Sequence, residues 1–162
     1  MNLISRPAAL AYALAAAVVA LDQVVKAWIV DGLRLIIGVP HPVWGPLRLT
    51  LVENPGVSFG MFQNDSNWAR WLLAGFSLTV AGALGLWVRR AEKAFTGLAI
   101  GLIIGGAIGN LIDRVRNGVV VDFVDVTALY FPWVFNVADS AISIGIVLLL
   151  VESFLQPRAG AT

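Results

Sequence analysis

The sequence predicts an all-α polytopic membrane protein, four transmembrane helices carrying a small extracytoplasmic β-sheet. Three observations predict it. Hydrophobic residues make up 59% and charged residues 13% of the 162 positions, where a soluble domain carries about 25% charged residues, and the mean hydropathy is +0.84. Four apolar stretches, about 8–30, 68–88, 95–112 and 134–154, approach or exceed the ~20 residues that cross a hydrocarbon core. The two longer loops between them, about 31–67 and 113–133, contain alternating and β-branched runs, which read as strands. A chain of this length forms a single membrane domain, 1–162, because four spans consume much of it.

The first stretch opens after Arg6 with "ALAYALAAAVVA" and carries Asp22, Gln23 and Lys26 near its end. Its start also fits a cleavable signal peptide, but it runs on through "KAWIV" to span length without a polar stop, so it reads as a span. In the loop that follows, "PLRLTLV" alternates Leu47, Leu49 and Leu51 with Arg48, Thr50 and Val52. "VENPGVSFG" then places a turn at Pro55 and Gly56 and returns apolar residues to the membrane. "RRAEK" at Arg89–Lys93 packs three cations into five residues after the second stretch. The positive-inside rule puts that loop in the cytoplasm, both termini with it, in agreement with Arg6 and Arg158, and the two longer loops outside. The third stretch has Gly101, Gly105 and Gly109 at four-residue spacing, which lets a neighbouring backbone approach closely. "VVVDFVDV" reads as the second strand, and the fourth stretch starts at Val134.

Composition narrows the function. Net charge is +1 and the eleven Lys and Arg are scattered, which excludes a nucleic-acid track. The absence of cysteine excludes disulfides, thiolate metal sites and a thiol nucleophile. His41, the one histidine, lies in the proline-flanked loop "GVPHPVWG", so no histidine zinc site exists, and Ser58 or Ser140 would have to recruit it from afar. A carboxylate metal site is opposed by Arg114, which beside Asp113 argues for an internal ion pair. No metal and no cofactor is expected.

Ionised groups within a span cost at least about 2.5–3.5 kcal/mol on insertion scales, so those present are functional candidates. Asp31, Asp65 and Glu92 fall in loops and are expected to be solvated, and Glu152 to be interfacial. Asp22, Asp113, Asp122 and Asp139 remain. Given the orientation, the ends bearing Asp22, Asp113 and Asp139 converge on the outer side, and Asp122 can fold back to join them. "NLIDR" and "NVADS" repeat one pattern. Three positions on a helix share a face, which sets Asn110 beside Asp113 and Asn136 beside Asp139. Two close carboxylates share a proton, one acting as base on water while the other donates to a scissile carbonyl, as in aspartic peptide hydrolysis. A small proton-coupled transporter would use buried carboxylates too, and a non-catalytic assembly subunit would need only the packing glycines. Spacing alone leaves open whether Asp113 or Asp122 partners Asp139.

"LDQVVKAWI", "ENPGVSFG", "GGAIGNLIDR", "VVVDFVDV" and "FNVADSAI" resemble, in that order and over most of the chain, the motif series of bacterial lipoprotein signal peptidase, signal peptidase II. The resemblance implies a four-helix aspartic endopeptidase of the bacterial inner membrane, active toward the periplasmic side. Its substrate would be a diacylglyceryl-modified prolipoprotein, cut just before the lipidated cysteine, and the cyclic peptide globomycin would occupy the same site. Membrane lipids would be its other partners, and the working form would be a monomer. By the family's pattern the catalytic pair falls on Asp122 and Asp139. Asn54, Gly56, Asn110, Asp113, Arg114 and Asn136 would support the pair or contact substrate, and Asp22 and Lys26 would support the site from the first helix. Asp113 is then expected to pair with Arg114 or Lys26. There are two departures from the pattern. Val57 and Ser58 stand where small residues are common, and Asp125 is an extra acid expected to be a solvated loop carboxylate.

Overall fold

The computed structural model describes residues 5–56 and 68–155; Val57, Ser58, Asp65 and Arg158, discussed above, lie outside the described residues. Four helices are long and apolar enough to cross a membrane: α1 (Arg6–Ala27), prolonged by a π-helical turn over Trp28–Gly32, α2 (Trp68–Val88), α3 (Ala94–Asn117) and α4 (Val137–Leu155). The α1 start is capped, the Ser5 hydroxyl accepting from the Ala8 N–H at 3.3 Å with Pro7 in the first turn. At its end α3 reaches Gly118, which takes the left-handed φ of 84° and donates its N–H to the Arg114 carbonyl. Arg70 of α2 adds side-chain donors at this end, Nε to Arg114 O at 2.6 Å and Nη2 to Val115 O at 2.7 Å.

Helix α3 is the axis of the bundle: twelve of its 24 residues are buried, against three each on α2 and α4. Its glycines make this possible. A Cβ on Gly101 would stand 2.6 Å from the Ala11 carbonyl oxygen, one on Gly105 2.9 Å from that of Ala15, and one on Gly106 would overlap that of Ala138. Backbones therefore touch across α1–α3 and α3–α4, and the buried small residues Ala8, Ala11 and Ala15 line the α1 side of the contact. Larger apolar side chains such as Leu21, Val24, Phe76, Leu86 and Val147 point outward, where hydrocarbon would cover them.

At the C-terminal end of α3 lies an antiparallel sheet, ordered β1 (His41–Trp44), β2 (Leu47–Asn54), β3 (Val120–Asp125) and β4 (Val134–Phe135). The two runs read as strands from sequence become the central pair. The edges were not legible: β1 contains Pro42, tolerated because an edge strand needs no donor on its open side, and β4 has only two residues. Val134 and Phe135 therefore pair with Asp125 and Val124 of β3, and α4 starts only at Val137. Gly45, at φ 53°, turns β1 into β2. Alternation along β3 sends Val121 and Phe123 into a core with Ile29 and Leu51, which leaves Asp122 on the opposite face, toward α3 and α4.

A Gly106→Val substitution is expected to force α3 and α4 apart and cost about 1–3 kcal/mol, the usual range for overpacking. Thermal unfolding in detergent would register this. Gly82→Ala, at a position where an added Cβ meets nothing within 4 Å, serves as the neutral comparison.

Candidate active site

Asn136 ends the loop and opens α4, and it does so as a reciprocal cap. Its side-chain oxygen accepts the Asp139 N–H at 2.9 Å, while Asp139 Oδ2 accepts the Asn136 backbone N–H at 3.2 Å. Asn-x-x-Asp ahead of an apolar run is thus a helix start, and the carboxylate sits where the helix N-terminus attracts negative charge. The same Asn136, fully buried, reaches across to β3: its Nδ2 donates to Asp122 Oδ1 at 2.7 Å. One amide residue therefore joins the two acids.

Each acid has one further amide donor. Asn110 Nδ2 donates to Asp139 Oδ1 at 2.7 Å, and Asn54 Nδ2 donates to Asp122 Oδ2 at 3.0 Å. Asn54 lies opposite Val120, one diagonal step from Asp122 on the ladder, so the strand register puts both side chains on one face. Its oxygen in turn accepts the N–H of Gly56 at 2.8 Å, and Gly56 holds φ at 82°, which a glycine adopts without strain. Asp122 is 2% exposed and Asp139 half-buried. Burial, reinforced by the nearby Asp139 charge, raises the Asp122 pKa to about 6, against the opposing pull of Asn54, Asn136 and Lys26. A cavity of about 270 Å³ opens on Asp122 and Asn54, walled by Val52, Pro55, Trp133 and Val134.

Behind the pair lies a buried ionic cluster. Lys26 Nζ is 2.8 Å from Asp22 Oδ2, 2.7 Å from Asp113 Oδ2 and 3.3 Å from Asn110 Oδ1. Asp22 uses its other oxygen to accept the Ala138 N–H at 3.0 Å, one of the open donors at the start of α4, and Asp113 Oδ2 also accepts the Val121 N–H at 3.2 Å. Of the two partners open to Asp113, the ion pair forms with Lys26. Asp113 lies inside α3 rather than at its end, and Arg114 instead donates from Nη1 to the Asn110 carbonyl at 3.4 Å. Among the described residues no group of three or more acids or histidines gathers as a metal site; the cation between Asp22 and Asp113 is Lys26 itself.

Asp125 corrects an expectation. It is 2% exposed rather than solvated, because β3 continues through it and the cross-strand partner is Arg48. Arg48 Nη2 lies 3.2 Å from Asp125 Oδ1, which also accepts from Thr127 N at 2.9 Å and Thr127 Oγ1 at 2.7 Å, while Thr50 Oγ1 donates to Oδ2 at 2.6 Å. Burial alone would raise its pKa, but the bonds from Thr50, Thr127 and Arg48 together hold it well below the usual carboxylate range. The alternation Arg48, Thr50 against the period-2 run ending at Asp125 carried the signal. His41 opens β1 rather than sitting in a loop, its Nδ1 2.9 Å from Val39 O, and Ser140 donates to the Asn136 carbonyl at 2.9 Å. Glu152 accepts from Thr96 at 2.8 Å and lies 3.5 Å from Lys93 Nζ at the far end of the bundle. Gln23, named from sequence only as part of "LDQVVKAWI", and Arg70, which belongs to no motif, were given no role there; only the packing reveals their partners.

Comparison with known proteins agrees with this architecture. A family model described as signal peptidase (SPase) II matches residues 14–155. A lipoprotein signal peptidase of Caulobacter vibrioides is 56% identical over 154 residues, covering 94% of this chain and 91% of that protein. A namesake from Methylorubrum extorquens is 43% identical over 148 residues, with 90% and 86% covered. Among solved structures, a bacterial membrane enzyme determined by the in meso method at 1.9 Å superposes with a TM-score of 0.78 at 29% identity, covering 91% of this chain and 94% of that one.

Asp125→Asn is expected to lower stability at neutral pH by about 1.5–3 kcal/mol, the range for hydrogen bonds to a charged group. The sign follows from the depressed pKa: wild-type stabilisation is present above the ordinary carboxylate range and lost as pH falls through and below it. The gap in unfolding midpoint between the two proteins should therefore stay constant from neutral pH down to the ordinary carboxylate range and narrow only below it.

Proposed function

This chain belongs to the signal peptidase II family, and on that premise we propose that Asp122 and Asp139 run its reaction as an aspartic dyad. It is a multi-pass membrane protease that removes signal peptides from lipoproteins. The observation that carries the dyad is the Asn136 bridge, with a 2.7 Å bond to Asp122 and reciprocal capping bonds to Asp139.

The more buried acid, Asp122, holds the proton and hydrogen-bonds to the scissile carbonyl; Asp139, the less buried of the two, takes a proton from water as the water oxygen attacks the carbonyl carbon. Asp122 protonates the oxyanion in the same step. When the tetrahedral intermediate collapses, Asp139 returns its proton to the departing amine nitrogen and Asp122 recovers the proton from the gem-diol. Products are a carboxylic acid and a free amine, and the dyad ends as it began. The amides of Asn54 and Asn110 keep the pair in register.

We assign as substrate a prolipoprotein bearing diacylglycerol on cysteine, cut before that cysteine. Its acyl chains remain in lipid beside the apolar helix faces while the scissile bond reaches the sheet end of the bundle. The dyad lies toward the end of α3 that is remote from Arg89–Lys93, which supports a site on the periplasmic side of the inner membrane with both termini cytoplasmic. The working form is proposed to be a monomer, and globomycin should compete for the same cavity.

Asp122→Asn and Asp139→Asn should each leave a folded protein whose cleavage of a lipidated prolipoprotein drops by about 10²–10⁴-fold, the usual weight of general acid–base groups. Wild-type cleavage by either variant would overturn the dyad. Because Asp122 is held neutral up to about pH 6, the competent form is lost as pH rises through that value. A kcat/KM profile of the free enzyme should therefore fall on its alkaline side, and Asn54→Ala, which removes a bond favouring the charged form, should move that limb upward.

A further inference from the structure

Lys26 has a use that neutralising its neighbours does not exhaust. An ammonium has three protons, and those of Lys26 meet three acceptors: Asp22 Oδ2, Asp113 Oδ2 and Asn110 Oδ1, the last at 3.3 Å. Asn110 Oδ1 also accepts from Asn136 Nδ2 at 3.1 Å, and Asn110 Nδ2 lies 2.7 Å from Asp139 Oδ1. A flipped Asn110 would set its oxygen against the Asp139 carboxylate and its NH₂ against both the ammonium and the Asn136 amide. Every contact would then be repulsive. Only one orientation of this carboxamide is compatible with a charged Lys26, and it is the one that presents a donor to Asp139.

Gln23 completes the arrangement. Its Nε2 donates to Asp113 Oδ1 at 2.9 Å, to Asp22 Oδ2 at 3.2 Å and to the Gly109 carbonyl at 3.3 Å, which ties the two carboxylates of the cluster to one another and to α3. The ammonium is thereby held at one spot, 4% exposed, between two helices. The charged groups that bear on Asn110 and Asp139 are Asp22 and Lys26 from α1, Asp113 and Arg114 from α3, and Asp122 from β3.

We propose that Lys26 is a positioning residue for the hydrolysis: through the Asn110 carboxamide it aims an N–H at Asp139 and holds that carboxylate as the base. The effect is on the chemical step and passes through Asn110. Gln23 acts one bond further back by holding Asp22 and Asp113 on the ammonium. The proposal rests on the aspartic reading above, which the Asp122→Asn and Asp139→Asn variants test separately, because neither alters the Lys26 cluster.

The experiment measures kcat and KM for a diacylglyceryl-modified prolipoprotein in detergent micelles, with thermal unfolding as the control for folding. Lys26→Met leaves Asp22 and Asp113 facing each other unneutralised and can fail to fold, so the decisive variant is the uncharged triple Asp22→Asn, Lys26→Met, Asp113→Asn. Its kcat should fall about ten- to a hundredfold, the usual effect of losing a hydrogen-bonded partner one step removed from a reacting group, with KM changed less than about twofold. In an Asn110→Ala background the triple should cost nothing further, since residues acting through a shared partner are not additive. Wild-type kcat in the triple, or a full additive loss on top of Asn110→Ala, overturns the proposal. If neither Lys26 variant folds while Asn110→Ala does, the cluster is scaffold alone and the proposal also falls.

Discussion

The close approach of three helix backbones is the constraint on which the rest of the molecule depends. Gly101, Gly105 and Gly106 remove the side chains that would keep α1 and α4 from α3, and Gly109 continues the contact to the sheet end. There a Cβ would lie 2.8 Å from Asp22 Oδ2 and 3.3 Å from the Ala138 Cβ. That gap is the width of a carboxylate. Asp22 fills it, pairs with Lys26 on its own helix, and caps the Ala138 N–H of α4. With ordinary side chains in place of these glycines, hydrogen bonds spanning α1, α3 and α4 would have no reach.

Charges brought together in a poorly hydrated place need partners from the protein, and the acids here find them in two ways. Asp22 and Asp113 share an ammonium, and Asp125 meets a guanidinium and two threonines. Asp122 and Asp139 are served by neutral amides instead, with no cation in direct contact among the described ion pairs. Amides orient a carboxylate without neutralising it, which is the setting the proposed proton exchange between these two acids requires. The chemistry of each carboxylate follows from the kind of partner it has.

The sequence reading went furthest where the signal was local and periodic. Span number, the two central strands and the convergence of acids at one end followed from hydropathy, alternation and orientation. It erred where one pattern serves two structures. "NLIDR" and "NVADS" share a spacing, yet the first is a turn inside α3 and the second is a helix cap, so Asn136 reaches its acid through the backbone and not across a helix face. Asp125 was read as a solvated loop residue because nothing in its neighbourhood names Arg48, 77 positions away on the paired strand. Edge strands of two and four residues are too short to leave a pattern at all.

By itself, then, the sequence determined that this is a four-span membrane protein with acids and amides at one end, since bilayer thickness imposes a length and a composition that any reader of the chain can measure. Which partner each acid takes was decided only by tertiary structure. Asp113 and Asp122 stand nine positions apart and carry the same group, but one lies on α3 within 2.7 Å of Lys26 and the other on β3 within 2.7 Å of Asn136. That difference is set by strand register and by glycine contacts between helices, interactions between residues far apart in the chain that no local pattern encodes.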